Sequence, residues 1–247
     1  MITVQPTNDS FSLKNPSVLT RLCYFFAVLS FIGGFLFLSH VLKKVDQVDR
    51  QDLLTQVQTI SHLISAQDIA TLTGTEKDLD SPVYLKIKQE MYDLHDINNN
   101  TRFVYLMRAS DTDPNKLIFL VDSEIPSSKD YSWPGQIYDN TTPLQMKNYL
   151  EGVPFTEGPY TDNWGTWISA YAPIWYNGKI VAKVCMDVSA TKWRAEDYYF
   201  QVAILTMSII TSIVFIFIGI YIKRAVQCID EVEHLQKDLE NKQSLKK

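Results

Sequence analysis

Two stretches of the chain carry no polar alternation at all. Residues 22–42 hold no charged side chain and are rich in phenylalanine (Phe25, Phe26, Phe31, Phe35, Phe37); residues 201–222 form a second such run, with Ile204, Ile209, Ile210, Ile213 and Phe217 among its members. A helix needs about 20 consecutive apolar residues to cross a hydrocarbon core, so each run predicts a membrane-spanning helix. The first exceeds the ~7–15 apolar residues of a cleaved leader and no small-x-small site follows it, so it is read as retained.

Between the spans the pattern becomes helical, then alternating. Val45, Val48, Leu53 or Leu54, Val57, Ile60, Leu63 and Ile64 recur at three- and four-residue steps, which predicts an amphipathic helix continuing outward from the membrane and stopping at Gly74. Ser81-Pro82 marks a second helix start; Tyr84, Ile87, Met91 and Leu94 form its apolar face to about Ile97, and Asn98 to Asn100 end it. Residues 103–107 and 117–121 read as short strands joined by a polar loop. Residues 123–143 contain Pro126, Pro134, Gly135 and Pro143 together with Tyr131, Trp133 and Tyr138. Loops longer than ~12–15 residues in a compact domain are commonly binding loops or lids.

After a short helix at 144–150, Gly152, Pro154, Gly158 and Pro159 lead into the firmest local signal, two β-rich runs at 167–173 and 180–188 joined by Asn177-Gly178. Asn-Gly between alternating strands predicts a type I′ hairpin. Alternation puts Trp167, Ser169 and Tyr171 on one face, and Val181, Lys183, Cys185 and Asp187 together on one face of the partner strand. Residues 190–200 return the chain to the membrane with Trp193, Tyr198, Tyr199 and Phe200 at the height of an aromatic belt. Beyond the second span, Ala225, Cys228, Val232, Leu235 and Leu239 fit heptad positions a and d, a hint of a parallel dimer over two heptads.

At 247 residues, 46% apolar and a formal charge of −5, the chain has room for one or two domains and gives no reason to expect nucleic-acid binding. Its three cysteines, Cys23, Cys185 and Cys228, fall in separate compartments, so the outer domain relies on its core rather than on disulfides. Its four histidines show no metal-ligand spacing, and no phosphate loop, nucleophile elbow or Cys/His pair is present, so the expectation is no catalysis, metal or cofactor. A divergent hydrolase using Asp122, Asp162 and Asp187 is the enzyme alternative.

Several segments, in order, resemble the extracytoplasmic Cache sensor domains (PAS-like) of bacterial histidine kinases, diguanylate cyclases and chemoreceptors. They are Arg102-Phe-Val-Tyr-Leu-Met-Arg108, Phe119-Leu-Val-Asp-Ser123, Trp133-Pro-Gly-Gln-Ile-Tyr138, the run from Asp162 through Trp164-Gly-x-Trp-Ile-Ser-Ala-Tyr-Ala-Pro-Ile174, and the Asp187-Val188 that ends the hairpin. The resemblance covers about His62 to Trp193. It implies an α+β fold, with a long N-terminal helix on a central antiparallel sheet between two transmembrane helices and a short C-terminal coiled coil. The expected organisation is a cytoplasmic tail (1–20), a first span (21–42), the sensor domain (43–195), a second span (201–222) and a cytoplasmic signalling helix (223–247). It also implies a multi-pass protein of the bacterial inner membrane, a homodimer with its sensor in the periplasm or outside the cell, acting on a cytoplasmic output that lies beyond Lys247 or on another protein.

The family places an aromatic of the first strand in its ligand pocket, which selects Tyr105. Tyr131, Trp133, Tyr138, Trp164, Trp167 and Tyr171 are the expected walls, and Asp122, Asp162 and Asp187 the polar anchors. Carboxylates beside an aromatic box suit a small ligand that is a cationic amine or amino acid. The competing reading makes Asp162 and Asp187 structural acceptors of backbone N–H groups at turns. At the level of the whole protein, the alternative is a membrane adaptor whose outer domain binds another protein and takes no small ligand.

Overall fold

The computed structural model describes residues 16–98 and 100–244. The first part of the expected tail, Asn99 and the last residues of the expected signalling helix lie outside them. In chain order the elements are α1 (Pro16–Leu63), the single turn α2 (Ala66–Ile69), a 3-10 turn at Glu76–Asp78, α3 (Pro82–Ile97), β1 (Phe103–Ala109), β2 (Leu117–Asp122), β3 (Ile137–Tyr138), α4 (Pro143–Glu151), β4 (Phe155–Thr161), β5 (Thr166–Tyr176), β6 (Lys179–Ser189) and α5 (Ala190–Ser244). The fold is α+β, as expected. The chain divides into two compact units: Lys43–Tyr198, and the residues up to Leu42 taken with those from Tyr199 onward.

In the unit Lys43–Tyr198 a six-stranded antiparallel sheet runs in the order β3-β2-β1-β6-β5-β4. At its centre β1 lies beside β6, and the tip of the β5–β6 hairpin holds Asn177 at φ 49° and Gly178 at φ 73°, the two positive values a type I′ turn demands. β1 pairs along β6, with Phe103 opposite Asp187 and Tyr105 opposite Cys185, and β5 places Ser169 opposite the same Asp187. Period-two alternation then sorts the side chains. Val104, Leu106, Leu120, Ala170, Ile174, Val184 and Met186 pack with Leu53, Val57 and Ile60 of α1, Ile64 just past its end, and Tyr84, Ile87 and Met91 of α3. Phe103, Tyr105, Phe119, Trp167, Tyr171 and Cys185 face the other way, with Met146 and Tyr149 of α4.

The helix of residue 45 onward has a sharper phase than its sequence suggests. Its buried stripe is Leu53, Val57 and Ile60, continued by Ile64 just past the helix end, while Leu63 is 74% exposed. It also ends earlier than expected, at Leu63, because Ser65 accepts from the Asp68 backbone N–H and opens α2. Gly74 stops no helix; it sits at φ 66° in a loop whose Thr73 and Gly74 N–H groups donate to the buried carboxylate of Asp78. Two strands escaped the sequence pattern. β4 contains Gly158 and Pro159, and β3 interrupts the 123–143 segment; both are edge strands, where proline and irregular pairing are tolerated.

In the other unit, α1 and α5 each contain a stretch long and apolar enough to cross a membrane. Small residues let these stretches approach closely: Ser212 Oγ donates to the Ala27 carbonyl, and a Cβ on Gly34 would sit 1.8 Å from Ser208 Oγ. Val232, Leu235 and Leu239, of the expected heptad seam, are exposed.

Candidate functional site

The sheet face opposite α1 and α3 carries buried polar groups among its aromatics. Asp187, near the end of β6, is 3% exposed. Tyr105 Oη donates to its Oδ2 at 3.0 Å and Ser169 Oγ donates to its Oδ1 at 2.5 Å. The bonds continue away from it: the Tyr160 and Ser169 hydroxyls lie 3.0 Å apart, those of Tyr160 and Tyr171 also 3.0 Å, and Gln145 Nε2 of α4 donates to Tyr171 Oη at 2.8 Å. Burial pushes the Asp187 carboxyl from the usual 3.8 up to about 7, against the pull of the Ser169 and Tyr105 hydrogen bonds and with the push of nearby Asp162. Burial likewise holds the Tyr105 and Tyr171 hydroxyls well above their ordinary range.

Asp122 ends β2 and faces the same space. Its oxygens accept from the backbone N–H groups of Glu124 (3.1 Å) and Ser132 (2.7 Å). Burial raises its carboxyl to about 6, with those two N–H groups and Lys88 opposing the rise. Asp162 closes the turn from β4 to β5, accepting from the Trp164 and Gly165 N–H groups and from Trp167 Nε1 and Tyr138 Oη. Asp162 and Asp122 therefore do what a turn carboxylate does, whereas the bonds to the Asp187 carboxyl come from side-chain hydroxyls.

The segment after β2 folds over this space and is tied down at several points. Arg102 donates to Glu124 at 2.5 Å and to Asp130 at 2.6 Å, and Ser128 Oγ donates to Glu124. From α3, Lys88 Nζ donates to the carbonyls of Asp122 and Glu124 and lies 4.6 Å from the centre of the Tyr131 ring.

Tyr105, Asp122, Tyr138, Asp162, Trp164, Trp167 and Asp187 of the expected site converge on one pocket, joined by Phe103, Phe119, Asp130 and Ser132. Phe103 was legible, since it shares the strand face of Tyr105; Asp130 and Ser132 come from the irregular segment, where no periodicity points inward. Three expected residues lie elsewhere. Tyr131 turns to α3, its hydroxyl 3.3 Å from that of Tyr84. Trp133 is 47% exposed beside Gly135, on a surface groove with Thr73 and Gly74. Tyr171 faces α4, stacked on Phe155 and bonded to Gln145, and reaches Asp187 only through Tyr160 and Ser169.

Among the described residues, the pocket's lining includes Asp122, Asp130, Asp162 and Asp187 and no lysine or arginine. Arg102 neutralises Asp130 from behind. The void between the walls is about 20 Å³, which is room for a water molecule. Aspartates beside aromatic faces make a setting that suits a cation.

No family model and no curated protein matches this chain. Among solved structures it is similar to the sensory domain of the Campylobacter jejuni chemoreceptor Tlp3 (CcmL) with isoleucine bound, at 14% identity over 76% of this chain and 68% of that one, with a TM-score of 0.39. It is also similar to the ligand-binding domain of Tlp3 in complex with L-valine, at 14% identity over the same shares, with a TM-score of 0.41. Likenesses of this order leave the site of this chain to be read from its own side chains.

Proposed function

We propose that this chain is the input module of a membrane receptor, whose unit Lys43–Tyr198 binds a small organic amine outside the cell and passes the signal to a cytoplasmic output through α5. The observation that carries the reading is the pocket of aromatic rings and aspartates with no cationic side chain in its lining. A carboxylate-bearing amino acid finds no partner there for its acid group, which favours a simple amine. Two helices with stretches long and apolar enough to span a bilayer support a membrane setting, with both tails in the cytoplasm. The exposed Val232, Leu235 and Leu239 support a homodimer.

In this reading the ammonium group takes the place of the proton on Asp187, between Tyr105, Trp164 and Trp167, and the 123–132 segment closes over it. β6 ends at Ser189 and α5 begins at Ala190, so a shift of the hairpin passes to the helix without an intervening loop. A ligand needs only different affinities for the two arrangements to shift their populations.

The test is the melting midpoint of the full chain in lipid nanodiscs against a panel of amines, amino acids, carboxylates and purines. An amine that raises the midpoint in wild type and has no effect in Asp187→Asn supports the reading. The small void favours the adaptor alternative, and a flat panel from a folded chain would move the reading there. The same titration over pH carries a second expectation. Below about pH 7 the amine has to expel a proton from Asp187, so its affinity should fall roughly tenfold per pH unit from 7 toward 5 and level off above 7.5. An affinity independent of pH across that range would remove Asp187 from the binding step.

A further inference from the structure

One arginine of α1 joins three elements of the unit Lys43–Tyr198. Arg50 Nη2 donates to the Gly158 carbonyl of β4 at 3.0 Å, and its Nε donates to Asp46 Oδ2, one turn back on α1, at 2.9 Å. Asp46 uses its other oxygen, Oδ1, to accept from the indole Nε1 of Trp193 on α5 at 2.9 Å, and the Arg50 guanidinium lies 5.8 Å from the centre of that ring. Both ends of this row bear on the pocket. The pairing of β4 with β5 skips Gly158 and Pro159, so the Gly158 carbonyl lies where the ladder is interrupted, and the next residue, Tyr160, belongs to the hydroxyl row of Asp187. Trp193 lies three residues past Ala190, where β6 gives way to α5. Burial disfavours the charge on Asp46, yet its bonds to Arg50 and Trp193 outweigh that and hold its carboxyl below the usual range, so both bonds are made to a carboxylate. A guanidinium is planar and holds its donors at fixed angles. A displacement of Gly158 therefore turns the Arg50 Nε–H relative to Asp46.

We infer that Asp46, Arg50 and Trp193 form a joint that registers the position of β4 at the start of α5, with Arg50 as its positioning residue. When β4 carries Tyr160 toward or away from Asp187, the Gly158 carbonyl moves with it, the guanidinium rotates, and the carboxylate that holds Trp193 is pulled or released. The start of α5 is then steered at two points, by β6 at Ala190 and by the joint at Trp193. The use of the joint rests on the receptor reading above; its existence does not, because the experiment needs no ligand.

The test is amide hydrogen exchange of the full chain in nanodiscs, in wild type, Arg50→Met, Trp193→Phe and the double variant. Trp193→Phe keeps an aromatic ring and removes the Nε1–H donor. It should speed exchange at the start of α5 (190–198) and also across the joint in β4 (155–161), by roughly tenfold at each. Arg50→Met should do the same at both places, with β1 and β6 at their wild-type rates. The double variant should exchange no faster than Arg50→Met alone, since contacts that act as one unit are not additive. A rise at α5 in Trp193→Phe with β4 at its wild-type rate would show two independent contacts and overturn the inference. Additive effects in the double variant would overturn it too, as would a rise shared by β1 and β6, the mark of a general loss of stability. If Arg50→Met fails to accumulate, the β4 response of Trp193→Phe decides alone. A flat amine panel would remove the receptor reading and leave this result untouched.

Discussion

Asp187→Asn should make the folded domain more stable at pH 8 while abolishing its response to amines. The carboxyl is raised from 3.8 to about 7 in the folded chain. Between those values the folded state holds a proton that the unfolded chain has released, so stability falls as pH rises through that window and stays low above 7. About three pKa units correspond to a cost of order 4 kcal/mol for keeping an ionised carboxylate in this setting. A neutral amide does not bear it, and its oxygen still accepts from Tyr105 or Ser169. The melting midpoint of the variant should therefore match wild type near pH 4 and exceed it by about 10 °C at pH 8. A variant that melts lower than wild type at pH 8 would show that the ionised carboxylate is a structural acceptor, and the amine reading of the pocket would fall with it.

Gly158→Ala should be the most damaging single-methyl change in the domain. Gly158 has φ 110°, and a Cβ there would lie 2.3 Å from the carbonyl oxygen of Trp167 and 3.1 Å from the Cα of Ile168, both backbone atoms of the neighbouring strand β5. Its own carbonyl accepts from Arg50 Nη2 at 3.0 Å. No rotamer relieves a backbone clash, so β4 has to peel away, carrying Tyr160 from its hydroxyl partners. The expected loss exceeds about 4 kcal/mol, read as a fall of more than 10 °C in midpoint or as failure to accumulate. Gly178→Ala is the matched control: it also has positive φ, at 73°, but open space around it, so only about 1 kcal/mol of backbone strain is expected. Similar midpoints for the two variants would mean that β4 accommodates the methyl by moving.

What could be read from sequence followed the strength of each local pattern. Asn177-Gly178 announced its turn because few other dipeptides take two positive φ values cheaply, and the hairpin then set the alternation that grouped Trp167 with Tyr171 and Cys185 with Asp187, whereas Tyr105, on another strand, was selected only by the family resemblance. The phase of α1 was ambiguous between Leu53 and Leu54 because both are apolar, and only the packing of Val57 and Ile60 on the sheet decides it. β4 was invisible because Pro154, Gly158 and Pro159 spell a loop, and the tolerance of an edge strand for them is a tertiary fact. Tyr131 and Trp133 looked like pocket walls because they are aromatic and lie in the right segment, yet an irregular backbone has no period from which to infer direction. Their neighbours Asp130 and Ser132 point inward instead.

The chain of hydroxyls behind Asp187 has a sense of direction. Gln145 offers Tyr171 an amide hydrogen, and an amide nitrogen cannot accept one back. Tyr171 is thereby left to hand its own hydrogen to Tyr160, Tyr160 to Ser169, and Ser169 to Asp187. All the arrows run toward the carboxylate, whose Oδ1 is the acceptor at which the row ends. The far end of the row, on α4, thus orients each hydroxyl between it and the carboxylate, and does so from four side chains away without lining the pocket itself.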